Sequence, residues 1–198
     1  LMKKILFTFM IFFSTLVNAS EKIIILATVN NISISNKDLK DEMLIIKVMN
    51  NSKEIDKNTL QQSAFQNLLD LAIKEVEITI GKIEIKQQVK NQAFNSLKKK
   101  LSDNGIESSK IYNKIKKKSQ IEYAWNVLIS RKYSWKLNIN INEIQQRLVA
   151  LGYVDPNNPE TIKKKEKLIA EEKNKKFNFY SRAHLEQAKR ELLIKIIK

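Results

Sequence analysis

The stretch ATVNNISISNKDLKDEM, residues 27–43, decides how the rest of the chain is read. Ala27-Thr28-Val29 closes a β-branched run that begins at Ile23. Asn30-Asn31 suits the positive φ of a tight turn, and Ile32-Ser33-Ile34 alternates with the period of a strand. Ser35 stands three residues ahead of Asp38, a capping box with Asp in place of Glu. Leu39, Met43, Ile46 and then Val48 or Met49 continue a helical stripe. The reading is strand, turn, strand, helix, with no metal-ligand cluster and no phosphate cradle in it. An opening of this kind has an architectural purpose, and the remainder of the sequence has to supply it.

Three glycines and two prolines leave few places where the chain can be punctuated, so most of it must be helix. Leu60, Ala64, Leu68, Leu69, Ala72, Ile73, Val76 and Ile80 recur at spacings of three and four, which predicts a helix over 59–80 that stops at Gly81. KIEI (82–85) reads as a short extended connector. A helix follows over 86–103, and a long one runs from Ser108 or Ser109 to about Tyr133. NINI (138–141) alternates like a strand and leads into a helix over 142–151. GYVDPNNPET (152–161) holds both prolines and is the clearest boundary in the chain. A charged helix over 161–175, a last helix over 180–193 and a terminal strand in LLIKIIK complete the reading.

Ahead of all this, Lys3 and Lys4 precede an apolar run from Ile5 to Val17 and a small-residue site at Val17-Asn18-Ala19, the layout of a secretory signal peptide. The run is short of the roughly 20 residues of a membrane-spanning helix. The absence of cysteine rules out a lipid-modified cysteine anchor, disulfides and thiolate metal sites. The expectation is a soluble protein of the bacterial periplasm.

A formal charge of +15 invites a nucleic-acid reading, but only Arg131, Arg147, Arg182 and Arg190 among the 36 basic residues are arginine. Base readout and bidentate phosphate clamping lean on arginine, and an exported protein has little occasion to meet nucleic acid. Lysine clusters at 97–101, 114–118 and 162–167 sit on predicted helices and read as solvated faces, or as an electrostatic lure for acidic unfolded chains and anionic lipid. The one histidine, His184, lies beside Arg182 and Glu186 and reads as a surface or packing residue, since a lone imidazole makes a poor zinc site. Acidic neighbours such as Asp41-Glu42 and Glu171-Glu172 diverge on a helix and read as solvated. No G-x-S-x-G elbow or phosphate loop is present, and no serine has a partner base in evidence. The sequence predicts neither an enzyme nor a cofactor.

The order of these elements resembles the N-terminal domain of SurA-type periplasmic chaperones, and more distantly that of PrsA- and PpiD-type foldases. The residues that carry the likeness are Ala27 to Ile34, Asp38-Leu39, LLDLAIKEVEITIGKIEI (68–85), SLKKKLSDNGI (96–106), INEIQQRL (141–148) and the tail KKFNFYSRAHLEQAKRELLIKIIK (175–198). The resemblance implies a mainly α module with a small sheet, in which Ile194 to Ile197 return to pair with Ile24 to Val29. It implies residues 1–19 as signal peptide and 20–151 as the helical chaperone domain. Residues 152–160 then form a linker in place of the family's parvulin domains, and 161–198 close the module. Parvulin isomerases need a pocket with histidines and an acid or cysteine, so one histidine and a short segment between Leu148 and Lys175 imply no isomerase activity.

The function implied is ATP-independent binding of unfolded outer-membrane or secreted polypeptides, with the outer-membrane assembly machinery as a further partner and transient contact with the membrane surface. The alternative is a non-catalytic envelope scaffold that binds one fixed partner or the membrane surface. Either is compatible with a monomer or a swapped dimer. Most aromatic and methionine residues belong in a core by default, but a chaperone must leave some in a groove. The candidates for client contact are Met43, Met49, Phe94, Tyr123, Trp125, Tyr133, Trp135, Phe177, Phe179 and Tyr180. Tyr133 and Trp135, where a helix ends, and Phe177, Phe179 and Tyr180, read as a helix start, are expected to line one cleft.

Overall fold

In a computed structural model of the protein the described residues are 22–50, 55–84, 109–197 and the single positions 95, 99, 102 and 103. The opening stretch folds as its sequence dictates. β1 (Ile25–Val29) and β2 (Ile32–Ser35) form an antiparallel hairpin, with Val29 opposite Ile32 and Ala27 opposite Ile34. Asn30 supplies the positive φ of the turn, at 50°. The Ser35 hydroxyl accepts from the Asp38 amide at 3.2 Å while the Asp38 carboxylate accepts from the Ser35 amide at 3.0 Å. That reciprocal pair starts α1 (Asn36–Met49).

α2 (Lys57–Ile80) is capped by Asp56, whose carboxylate accepts from the Thr59 amide. It ends at Gly81, though not because glycine takes a left-handed turn there. Gly81 has φ −73°, and Lys82 carries the positive φ. What Gly81 contributes is space, since a Cβ at that position would lie 2.7 Å from Leu128 Cδ1. The helix expected over 86–103 falls outside the described residues except for Asn95, Lys99 and Ser102, which are helical, and Asp103, which is in a turn. α3 (Ser109–Lys132) follows, then a 3-10 turn (Ser134–Leu137), an extended Asn138–Asn140 that joins no strand, and α4 (Ile141–Ala150).

α5 (Pro159–Glu191) is one continuous helix. The sequence pattern predicts two helices here, one over 161–175 and one starting near Tyr180. The difference has a physical cause: Phe177, Tyr180, Ser181, His184 and Ala188 recur along one face and pack under α3 and the sheet, so tertiary contact carries the helix through Asn178.

β3 (Ile194–Ile196) then returns to β1, giving the order β2-β1-β3 with Val29 opposite Ile194 and Ala27 opposite Ile196. The protein is mainly helical, with a small antiparallel sheet that joins its two ends. Ala27, Val29 and Ile34 bury one face of that sheet on Leu69, Ala72, Ile73 and Val76 of α2 and Ala188 of α5. A second cluster joins Ile83 to Ala124, Trp125, Leu128 and Ile129 of α3, and a third is the α4–α5 pair Ile144, Leu148 and Leu168. Leu192 and Ile194 are half-buried against the first cluster. Deleting residues 192–198 should therefore destabilise the fold by about 3 kcal/mol, from two branched side chains at roughly 1.5 kcal/mol each. A urea midpoint unchanged by the deletion would show that the closing strand contributes nothing.

Candidate functional site

α3 ends at Lys132, and the backbone turns sharply through Tyr133 (φ −113°, ψ 19°) into the 3-10 turn. The turn throws Trp135 outward, where it is 70 % exposed, and leaves Tyr133 half-buried against the middle of α5. There the Tyr133 and Tyr180 rings stack, with centroids 5.1 Å apart and planes 17° apart, and Phe179 meets Tyr180 edge-on at 5.2 Å. Phe179 is itself 64 % exposed, and Phe177 packs inward against the same cluster. Lys136 arches over the group, its Nζ 4.8 Å from the Trp135 ring centre, 5.4 Å from Tyr180 and 6.0 Å from Tyr133. Lys176 fixes the next residues by donating to the Asn138 carbonyl at 2.7 Å. The result is an aromatic platform with a cation on it, held between α5 and the 3-10 turn that follows α3.

Beneath the platform lies His184, which is buried at 2 % exposure and not at the surface. Its ring stacks on Trp125 (5.3 Å, 23°) and meets Tyr133 edge-on at 5.8 Å. Nδ1 is 3.3 Å from the Tyr133 hydroxyl, and Nε2 is 3.0 Å from a Glu77 carboxylate oxygen but off the line of a hydrogen bond. Burial, and then the Lys132 ammonium, hold the imidazole below its ordinary pKa against the pull of Glu77. Burial likewise raises the Tyr133 phenol, helped by the Glu77 charge.

The lysine cluster at 114–118 is not the free basic face it resembles in sequence. Lys114 bridges Asp38 and Asp41 at 2.7 Å each, Lys118 pairs with Glu42 at 2.6 Å and Lys117 with Glu75 at 2.8 Å. The Asp41-Glu42 pair, read from sequence as solvated, turns inward, with Glu42 only 4 % exposed. The reason is cross-helix spacing: lysines four apart on α3 reach carboxylates one turn apart on α1. These pairs rim a recess of about 170 Å³ floored by Ile34, Ile45, Leu68 and Ala72. Asp38 shows the balance of forces, since burial pushes its carboxyl up but Lys114 and Ser35 bring it below the ordinary value. Of the other clusters, 97–101 lies outside the described residues except for Lys99. In 162–167, Lys164 rests over Tyr153 and Lys167 reaches Glu171 at 4.0 Å.

The structure thus brings together Tyr133, Trp135, Phe177, Phe179 and Tyr180, in the middle of α5 rather than at a helix start. Trp125, also expected at a client surface, is instead a core residue at 1 % exposure, its indole N–H donating to Ser181 Oγ at 2.8 Å. Tyr123 is on α3 about 15 Å along the axis from Tyr133 and is exposed. Met43 is half-buried on α1, and Met49 at its end lines a separate recess with Ile45 and Leu60. Phe94 lies outside the described residues. Lys136 and His184 are the residues that sequence reasoning missed. His184 had a signal, seven residues after Phe177 and four after Tyr180 on the apolar face of α5; Lys136 had none.

Among the described residues no group of His, Asp and Glu is placed to share a metal ion, and no helix is long and apolar enough to cross a membrane. No protein-family model matches the chain, and no curated protein matches it.

Proposed function

We propose that the chain is an ATP-independent, SurA-like periplasmic chaperone without isomerase activity, which holds unfolded outer-membrane or secreted polypeptides on the platform of Tyr133, Trp135, Phe179 and Tyr180. The observation that carries the reading is the exposure of Trp135 and Phe179 beside a lysine that has no carboxylate partner among the described residues. Two large aromatic rings, Phe179 on α5 and Trp135 on the 3-10 turn beside it, give an extended apolar segment something to press against, each with only two side-chain torsions to order. Lys136 adds attraction for acidic segments without fixing a geometry, which suits a promiscuous binder. The joining of both termini in one sheet agrees with the architecture that the family resemblance implies.

The test is dilution of a urea-unfolded outer-membrane β-barrel protein into residues 20–198 with light scattering followed at low and high salt. Suppression without ATP that weakens with salt is the expected result, repeated with an unrelated client. The double variant Trp135→Ala/Phe179→Ala should lose about tenfold in potency, the worth of roughly 1.4 kcal/mol, with an unchanged unfolding midpoint because both side chains are exposed. No suppression at several-fold excess would refute the proposal, and tight capture of one folded protein would support a scaffold instead.

A further inference from the structure

β1 is paired on both sides, but each outer strand of the sheet has a second edge. On β2 that edge runs straight into α1, and the Ser35 amide is taken by the Asp38 carboxylate. On β3 the register leaves two residues open. Asn30 donates its amide to the Leu193 carbonyl, and Ile197 donates its amide to the Leu26 carbonyl. Leu193, Ile197 and, between them, Lys195 opposite Thr28 therefore turn their backbone groups toward β1. By the alternation of an antiparallel ladder, Ile194 and Ile196 turn theirs outward, and no described residue bonds to them. The surroundings are apolar. Leu193, Ile196 and Ile197 are exposed, and the two isoleucines share an open recess of about 480 Å³ with Leu26, Leu39 and Phe65.

We infer that the outer edge of β3 is a strand-accepting site, which takes an extended segment of client by antiparallel pairing, with an acidic residue of the client opposite Lys195. The site rests on the register of the sheet; that its natural occupant is a client rests on the function proposed above.

Register and charge choose the occupant. A strand that bonds to Ile194 and Ile196 sets one of its residues opposite Lys195, in the closer, non-hydrogen-bonded kind of pair. A second copy of β3 that used both of its own open residues would set Lys195 against Lys195, and like charges directly opposite are destabilising. A lysine on an edge strand blunts self-pairing for this reason. An Asp or Glu in the same place is attracted instead, and the formal charge of +15 draws an acidic chain while it repels a copy. The two client residues that flank the acid project on the same face as Ile194 and Ile196, the face packed on α2, so an apolar pair there covers exposed isoleucine. The fitting segment is apolar-acidic-apolar and extended, and main-chain bonds make it tolerant of which apolar residues it carries.

The probe is a labelled peptide, Thr-Val-Thr-Val-Glu-Val-Thr-Val-Thr, titrated with the protein by fluorescence anisotropy, with amide hydrogen exchange followed by NMR. The expected result is binding that slows exchange of the Ile194 and Ile196 amides about tenfold or more at saturation. N-methylation of the two valines that flank the glutamate should abolish binding, whereas N-methylation of the glutamate, whose amide faces away from β3, should not. A peptide with lysine for glutamate should bind about fivefold more weakly, and Lys195→Glu should reverse that preference. Ile196→Pro removes an outward amide and no bond to β1, so it should weaken binding about tenfold with an unchanged urea midpoint. No binding, binding that leaves both amides unprotected, or equal binding of the valine-methylated peptide overturns the site. Protection of both amides without peptide, in step with a mass that rises with protein concentration, also overturns it, since the edge then belongs to a second copy. Light scattering keeps the two readings apart. Peptide bound at β3 without suppression of aggregation refutes the chaperone function and leaves the strand site standing; suppression without peptide binding refutes the strand site alone.

Discussion

Replacing Trp125 with alanine should cost about 3–5 kcal/mol of stability, the range for removing a large aromatic side chain from a packed core. Trp125 is 1 % exposed, stacks on His184, carries the Lys74 ammonium over its ring and donates to Ser181. The truncation leaves a cavity at the junction of α2, α3 and α5 and strands the His184 ring without its stacking partner. Against a total stability of roughly 5–15 kcal/mol, such a loss brings the domain close to unfolding at room temperature. Urea titration should show a lower midpoint with an unchanged slope. Trp125→Phe separates the parts, since it fills most of the volume but leaves Ser181 without its donor, a loss of about 1 kcal/mol for the bond. Equal losses in the two variants would mean that volume is not what Trp125 contributes.

Lys118→Met should destabilise by about 2 kcal/mol, and more than the removal of both members of its pair. Glu42 is buried, and its carboxylate has two partners, the Lys118 ammonium at 2.6 Å and Asn67 Nδ2 at 3.1 Å. Taking away the cation leaves a buried charge with one amide, a defect that costs 3–5 kcal/mol where water is fully excluded. The smaller figure reflects the 30 % exposure of the lysine side chain, through which water can reach the site. The double variant Glu42→Leu/Lys118→Met replaces both charges by apolar groups, so it should recover most of the loss. A double variant as unstable as Lys118→Met would show that packing rather than the stranded charge governs the site.

What was legible in the sequence was local. The hairpin, its Asn30 turn, the Ser35–Asp38 cap and the stripe of α2 each depend on residues within a few positions of one another, and each folds as its pattern implies. The pairing of β3 with β1 was legible only through the family resemblance, since nothing in LLIKIIK names its partner strand. The interactions that sequence could not show are long-range. Lys114 and Lys118 meet carboxylates 76 residues away, which turns an apparent basic surface into a row of neutralised pairs. The continuity of α5 is likewise set by the helix it packs on rather than by its own residues. At the candidate surface, helical spacing could group Phe177, Tyr180 and His184, but which rings face solvent depends on the bend at Tyr133, and no residue there announces it.

The position of β1 between β2 and β3 also imposes an order of events on the folding chain. One edge of β1 pairs with a strand that follows almost at once, whereas the other waits for residues at the far end of the sequence, where Asn30 clasps the backbone of Leu193 across 163 residues. Until that end arrives, the first strand made has an open edge and an apolar face that α2 covers without the Ala188 side of α5, so the earliest structure formed is the last to be completed. The step that finishes the sheet is also the most non-local contact in it and should limit the folding rate. During synthesis the open edge of the hairpin is exposed to other strands for as long as the rest of the chain takes to emerge.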